Sequence, residues 1–236
     1  MTLQVGMVGT DGVLIASDTR WMNTPRWANP ESPPRATFNS PKIIVNHARG
    51  IAISCARNME TAHHVASEII SGLKDEDWEY PILPIEGIGA KVLPSAGERN
   101  DAQCLIAFTR PTPRLFLFQF GMINGQWGSI CQSMQTTAIA GDNVNPAIFW
   151  AERYYRELPI ESLLPLAAHL IVSAGALNPT AISGLEIVLC DAAGLHRLSD
   201  DSTRDLKAKA TESDRNIGDL FLSHRQQFTY APDAGG

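Results

Sequence analysis

Basic residues are scarce in this 236-residue chain and nowhere bunched: 19 Lys and Arg stand against 25 Asp and Glu, a formal charge of −6. Binding nucleic acid needs a basic surface to neutralise phosphate, so nucleic acid is excluded as the main partner. Cysteine is equally sparse. Cys55, Cys104, Cys131 and Cys190 are far apart and sit in apolar, strand-like neighbourhoods; no metal-ligand spacing results, and they read as four reduced core thiols suited to the cytosol. No apolar run approaches a membrane-spanning length, and the N-terminus lacks a charged region followed by an apolar stretch and a cleavage site. The expectation is a cytoplasmic protein with no membrane contact, no metal, no cofactor and no pro-peptide. With 44% hydrophobic and 19% charged residues the composition is that of a globular protein, and its length suits a single domain over residues 1–236.

What is present is concentrated at the start. Thr2 to Arg20 contains a short apolar run, an Asp11-Gly12 turn and a second apolar run, a pattern that predicts a tight hairpin over Leu3–Val8 and Val13–Asp18. Thr2 is small, and aminopeptidases remove a methionine that precedes a small residue. Removal leaves an amine and a hydroxyl on one residue, which then serves as base and nucleophile at once.

Downstream, the prolines between Trp21 and Pro41 predict a surface loop able to cover a site. Lys42–Val45 and Ile51–Cys55 predict a second hairpin, so four strands precede any helix. Asn58 is placed to cap a helix reaching Leu73; His63 and His64 within it read as surface or rim residues. Lys74–Asn100 reads as an irregular connection. Strands are expected over 103–109, 114–120, 128–132 and 136–140, and Leu115-Phe-Leu-Phe118, apolar on both faces, predicts a central strand packed on both sides or an interface strand. Helices over 146–156 and 161–174, a hairpin over 185–198 and a short amphipathic stretch over 217–225 complete the chain. Helices clustered between groups of strands predict an α+β fold, a four-layer αββα sandwich of two antiparallel sheets flanked by helices.

Thr2 through Arg20, with its Gly-rich turn and Ser-Asp-Thr-Arg element, resembles the mature N-terminus of proteasome β-type subunits, and Pro41-Lys42-Ile-Ile-Val resembles the family's lysine-bearing strand. Ala140-Gly-Asp-Asn-Val-Asn-Pro146 is most like the bacterial proteasome homologue group. The resemblance implies an N-terminal threonine peptidase without cofactor. Thr2 would attack a peptide carbonyl, its α-amine, with a reference pKa of about 8, would take the proton, and Lys42, held by Asp18, would favour alkoxide character. Arg20 and Ser183 would support the site. Ala56 matches the family's oxyanion-binding glycine, and Trp21, Ser54 and Asn58 match positions lining its substrate pocket.

Two departures from the family stand out. Gly141-Asp142-Asn143 replaces a Gly-Ser-Gly turn, and a carboxylate at Asp142 would hold the amine as ammonium and weaken it as a base. The family's Asp-x-x-Ser pair has no clean match; Asn178 and Ser183 are the nearest polar residues. The resemblance also implies a homo-oligomeric double ring, heptameric in preference to hexameric, acting on peptides or on unfolded proteins delivered by an ATPase unfoldase. The alternatives are a non-catalytic ring scaffold of the same fold and an N-terminal nucleophile amidase on small amides.

Overall fold

The structure is a computed structural model that describes residues 2–22, 37–96, 101–123, 125–141 and 145–223. The chain opens as expected, with β1 (Leu3–Val8) and β2 (Gly12–Ser17) paired antiparallel, Val5 opposite Ala16. The next segment departs from the expected wandering loop. β3 (Arg20–Met22) pairs with β4 (Thr37–Asn39), placing Trp21 opposite Phe38 and burying it to 5% exposure; the stretch between them lies outside the described residues. β5 (Ile43–Asn46) and β6 (Ile51–Arg57) form the second hairpin, so six strands rather than four precede α1 (Met59–Gly72). Asn58 caps α1 as its sequence position predicts, its side-chain oxygen accepting from the Thr61 N–H at 2.9 Å.

The expected irregular connection is instead a 3₁₀ turn over Asp75–Trp78 and a helix, α2 (Ile82–Ala96). Its glycines hid it. Gly89 has a packing role: a Cβ there would come 2.7–2.8 Å from Ser129 and Phe118, so α2 lies closer to the sheet than a side chain allows. Then β7 (Ala102–Phe108), β8 (Arg114–Ile123), β9 (Gln126–Met134) and β10 (Thr137–Gly141) follow, with α3 (Asn145–Tyr154), α4 (Ile160–Leu177), β11 (Glu186–Asp191), β12 (Gly194–Arg197) and α5 (Asp200–Ser223). The predicted short C-terminal stretch is thus the end of a 24-residue helix. Its many exposed polar residues obscured the pattern.

One five-stranded sheet runs β10-β1-β2-β11-β12 and the other β5-β6-β7-β8-β9. Strand periodicity sorts their side chains. Leu3, Val5, Met7, Leu14 and Ala16 pack with α4 residues Leu163, Ala167 and Ile171, whereas Val13 and Ile15 meet Leu105, Leu115 and Leu117 between the sheets. Beneath α1 and α2, Phe116 and Phe118 fill the outer face of the second sheet, so β8, an inner strand, is packed on both faces as its sequence predicts. Each fully buried Leu, Ile or Phe contributes about 1.5–3 kcal/mol. α4 is long and apolar enough to cross a membrane by composition, unlike the expectation for the chain. Here that apolarity faces the first sheet. The result is the α+β sandwich with sheets inside and helices outside.

Candidate active site

The two sheets meet at the start of β1, and the functional candidates collect there. β1 begins one residue after Thr2, β2 ends one residue before Asp18, and β5 begins one residue after Lys42. Strand ends in register therefore converge three residues far apart in sequence. Lys42 Nζ donates to Thr2 Oγ1 at 2.9 Å and to Asp18 Oδ2 at 2.8 Å. Lys42 and Asp18 are fully buried and Thr2 is 4% exposed.

Burial makes this arrangement demanding, since an unpaired charge there is costly. Asp18 is accordingly saturated. Besides Lys42 it accepts the Leu3 N–H at 2.9 Å and the Arg20 N–H at 3.1 Å. Burial pushes its carboxyl above the ordinary aspartate value, and the Lys42 charge and these hydrogen bonds pull it back only partly. The Lys42 ammonium also lies 4.8 Å from the Trp21 ring centroid, a cation–π contact.

A second set of bonds fixes the neighbouring backbone. Gly141, at φ 100°, donates its N–H to Gln103 Oε1 at 2.7 Å, and a Cβ there would lie 2.0 Å from the Thr2 carbonyl oxygen. Only glycine lets β10 pass the first residue of the site this closely. Gly141 belongs to the turn singled out in the sequence, whereas Gln103 carried no recognisable signal, because it is not a chemically reactive type.

Several expected residues sit differently. Arg20 turns away, its guanidinium donating to the Pro179 carbonyl at 2.7 Å; its backbone N–H is what touches Asp18. Ser183 contributes its carbonyl, which accepts from the Thr19 N–H at 2.9 Å. The nearby Asn178 ends α4. Ser54 points between the sheets, donating to Gln4 Oε1 at 2.7 Å and accepting from the Leu105 N–H at 3.1 Å, and is fully buried. It is interior rather than pocket-lining. Asn58 spends its side-chain oxygen on the helix cap. Trp21 remains beside Lys42 and carries His63 against it, ring centroids 5.8 Å apart. Burial lowers the His63 pKa, which keeps that imidazole neutral. Asp142 lies outside the described residues.

Ala56, the expected oxyanion donor, lies on β6 opposite Gln103 of β7. Cys55 donates its N–H to the Lys42 carbonyl at 2.9 Å, and N–H groups alternate sides along an extended strand. Ala56 therefore aims its N–H toward Gln103 on β7, its register partner. The Arg57 N–H points back to the Lys42 side, past the first residue of β5. Arg57 has φ 70°, the backbone region that favours glycine, and its guanidinium pairs with Asp101 at 3.1 Å. A nonglycine residue hid this position from a search for glycine.

No cysteine competes as nucleophile at neutral pH among those with a resolved shift. Burial pushes the Cys131 and Cys190 thiols up to about 12, and a hydrogen bond made by the Cys104 thiol to Cys55, together with burial, holds Cys104 well above its ordinary value. All four are free and buried, as their surroundings predict.

The sandwich of two five-stranded sheets between helix layers, with a threonine entering β1, is the proteasome-like N-terminal nucleophile hydrolase fold. Among solved structures, Anbu (ancestral beta-subunit) from Yersinia bercovieri superposes with a TM-score of 0.69 at 13% identity, covering 99% of this chain and 100% of that one. Anbu from Hyphomicrobium sp. strain MC1 gives 0.65 at 15% identity over 98% of this chain and 100% of that one, and an Anbu (Gly-1) mutant from the same strain gives 0.65 at 16% with the same coverage. These neighbours correct the resemblance to proteasome β-type subunits and to the bacterial proteasome homologue group: the similar structures are Anbu proteins, a related proteasome-like family. The N-terminal motifs did not separate the groups, because short nucleophile and strand motifs are common to the fold. No protein-family model and no curated protein matches the sequence. At these identities the likeness establishes the fold alone.

Proposed function

We propose that this chain is a threonine-type peptidase subunit whose nucleophile is Thr2 after removal of Met1. The observation that carries the reading is the buried chain Thr2 Oγ1, Lys42 Nζ, Asp18 Oδ2, linked at 2.9 and 2.8 Å. The freed α-amine accepts the Thr2 hydroxyl proton as Oγ1 attacks the peptide carbonyl. Lys42 lowers the cost of negative charge on that oxygen, and the Arg57 N–H is positioned on the side where the carbonyl oxygen becomes an oxyanion. The resulting α-ammonium returns its proton to the leaving amine, and water then hydrolyses the Thr2 ester.

The substrates are peptides or unfolded proteins entering a cytoplasmic homo-oligomeric chamber, with an ATPase unfoldase supplying the latter. Intact mass before and after incubation with a peptide epoxyketone tests the chemistry, because that group reacts with a hydroxyl and an amine on one residue. Loss of Met1 and gain of one inhibitor per chain is the expected result. Retained Met1, or a processed chain that never reacts, rejects the peptidase and favours a ring scaffold; turnover of small amides but no peptides favours an amidase.

A further inference from the structure

Lys42 and Asp18 are joined by an ion pair but belong to different sheets, so something must fix the distance between those sheets at the site. Lys42 leads into β5 of the second sheet, and Asp18 leaves β2 of the first. Glu186, the first residue of β11, stands opposite Ser17 in register, next to Asp18. Its side chain crosses to the other sheet: Oε2 accepts the Lys42 N–H at 2.8 Å and the Ile43 N–H at 3.3 Å. Arg197, the last residue of β12, forms an ion pair with Glu186 and donates to the Ile43 carbonyl at 2.8 Å.

We propose that Glu186 and Arg197 are positioning residues that brace the Lys42 backbone against the first sheet beside Asp18, and so set the reach of Nζ to Thr2. The brace grips three successive peptide groups. Glu186 takes the N–H groups on both sides of the Lys42 carbonyl, while Arg197 takes the carbonyl of the following residue, so the strand entry is held by donor and acceptor contacts together. Glu186 is 6% exposed, and Arg197 supplies the countercharge a buried carboxylate requires. That pairing has a chemical consequence. With its charge directed to Arg197 and to backbone amides, Glu186 stabilises the Lys42 main chain while Asp18 remains the carboxylate hydrogen-bonded to the Lys42 ammonium. The sequence pattern alone shows Glu186 only as a polar residue opening an apolar strand.

The catalytic consequence rests on the threonine peptidase reading; the structural consequence does not. In purified Glu186→Gln protein, the crystal structure is expected to show Lys42 Nζ displaced from Thr2 Oγ1 by about 0.5 Å or more, and kcat on a fluorogenic peptide is expected to fall about tenfold or more with KM within about twofold. Arg197 is partly exposed, and Arg197→Lys, which loses the forked contact, is expected to show the same changes at smaller size; it also serves if Glu186→Gln does not fold. An unmoved Nζ overturns the brace. A displaced Nζ with unchanged kcat per folded chain overturns its positioning role. If the wild-type protein turns over no peptide, the peptidase reading fails, and the crystallographic distance still decides whether the brace holds Lys42.

Discussion

Two ion pairs of nearly equal length, one buried at the site and one exposed on α5, carry opposite weight. At the site, Lys42 meets Asp18 at 2.8 Å with both side chains fully buried; on α5, Lys209 meets Asp205 at 2.7 Å with side chains 67% and 60% exposed. Length does not distinguish them. Water does: the α5 charges lose little solvation by pairing and gain little, whereas each buried charge depends on its partner for nearly all its stabilisation. The sharpest break of this contrast is Lys42→Ala. It strands Asp18 without a countercharge and is expected to cost about 3–5 kcal/mol in a denaturant titration, with kcat reduced about 10²–10⁴-fold on peptides if the proposed chemistry holds. A variant as stable and active as the parent would show that the pair is incidental.

Backbone crowding at the same place provides the next test. Gly141→Ala puts a Cβ against the Thr2 carbonyl at a φ of 100°, and the strain is expected to be about 1–3 kcal/mol. Because the clash lies on Thr2, the proposed nucleophile, activity should fall further than stability, and equal residual activity per folded molecule would refute the close approach. The corresponding substitution at Gly218, on α5, meets open space.

The pH response sharpens the contrast because the buried carboxylate titrates out of its ordinary range. The Asp18 pKa is raised by burial above 3.8, so between 3.8 and that raised value the native state holds a proton the unfolded state has lost. Stability from this group is fully present below 3.8 and falls as pH climbs through the folded pKa. Activity moves the other way, since ionised Asp18 is the form that anchors the Lys42 ammonium. Melting temperature and kcat/KM measured from pH 3 upward should therefore show opposite slopes in that window, and Asp18→Asn should remove the stability slope. Parallel slopes would place the Asp18 pKa below its ordinary value.

The clustering of Thr2, Asp18 and Lys42 and the doubly packed strand β8 were legible in the sequence because each combines a reactive or apolar type with a strong local pattern. Thr2, Asp18 and Lys42 sit at strand ends that periodicity marks within a residue or two. What stayed hidden acts through backbone groups or across sheets. Gln103 and Glu186 were missed because their partners lie 38 and 144 residues away in sequence. Ser54 and Asn58 were placed in the pocket by alignment of types, yet strand alternation turns Ser54 inward and a helix cap occupies Asn58. Similarly, α2 was lost among its glycines and prolines because tertiary packing against β9, not local propensity, makes it a helix.

The smallest effect is expected where the comparison began, on α5. Asp205 and Lys209 are four residues apart in the favourable acid-before-base order, and such exposed pairs contribute about 0.3–0.5 kcal/mol. Lys209→Ala should therefore shift the unfolding midpoint by no more than that, should lose even this difference at 1 M salt where the screening length is about 3 Å, and should leave kcat and KM unchanged. The buried pair should keep most of its energy at the same salt, because ions cannot enter between Lys42 and Asp18. A salt titration of Lys42→Ala beside Lys209→Ala thus separates the two by environment alone; equal salt sensitivity would mean that solvent reaches Thr2, and that the site is open rather than enclosed between the sheets.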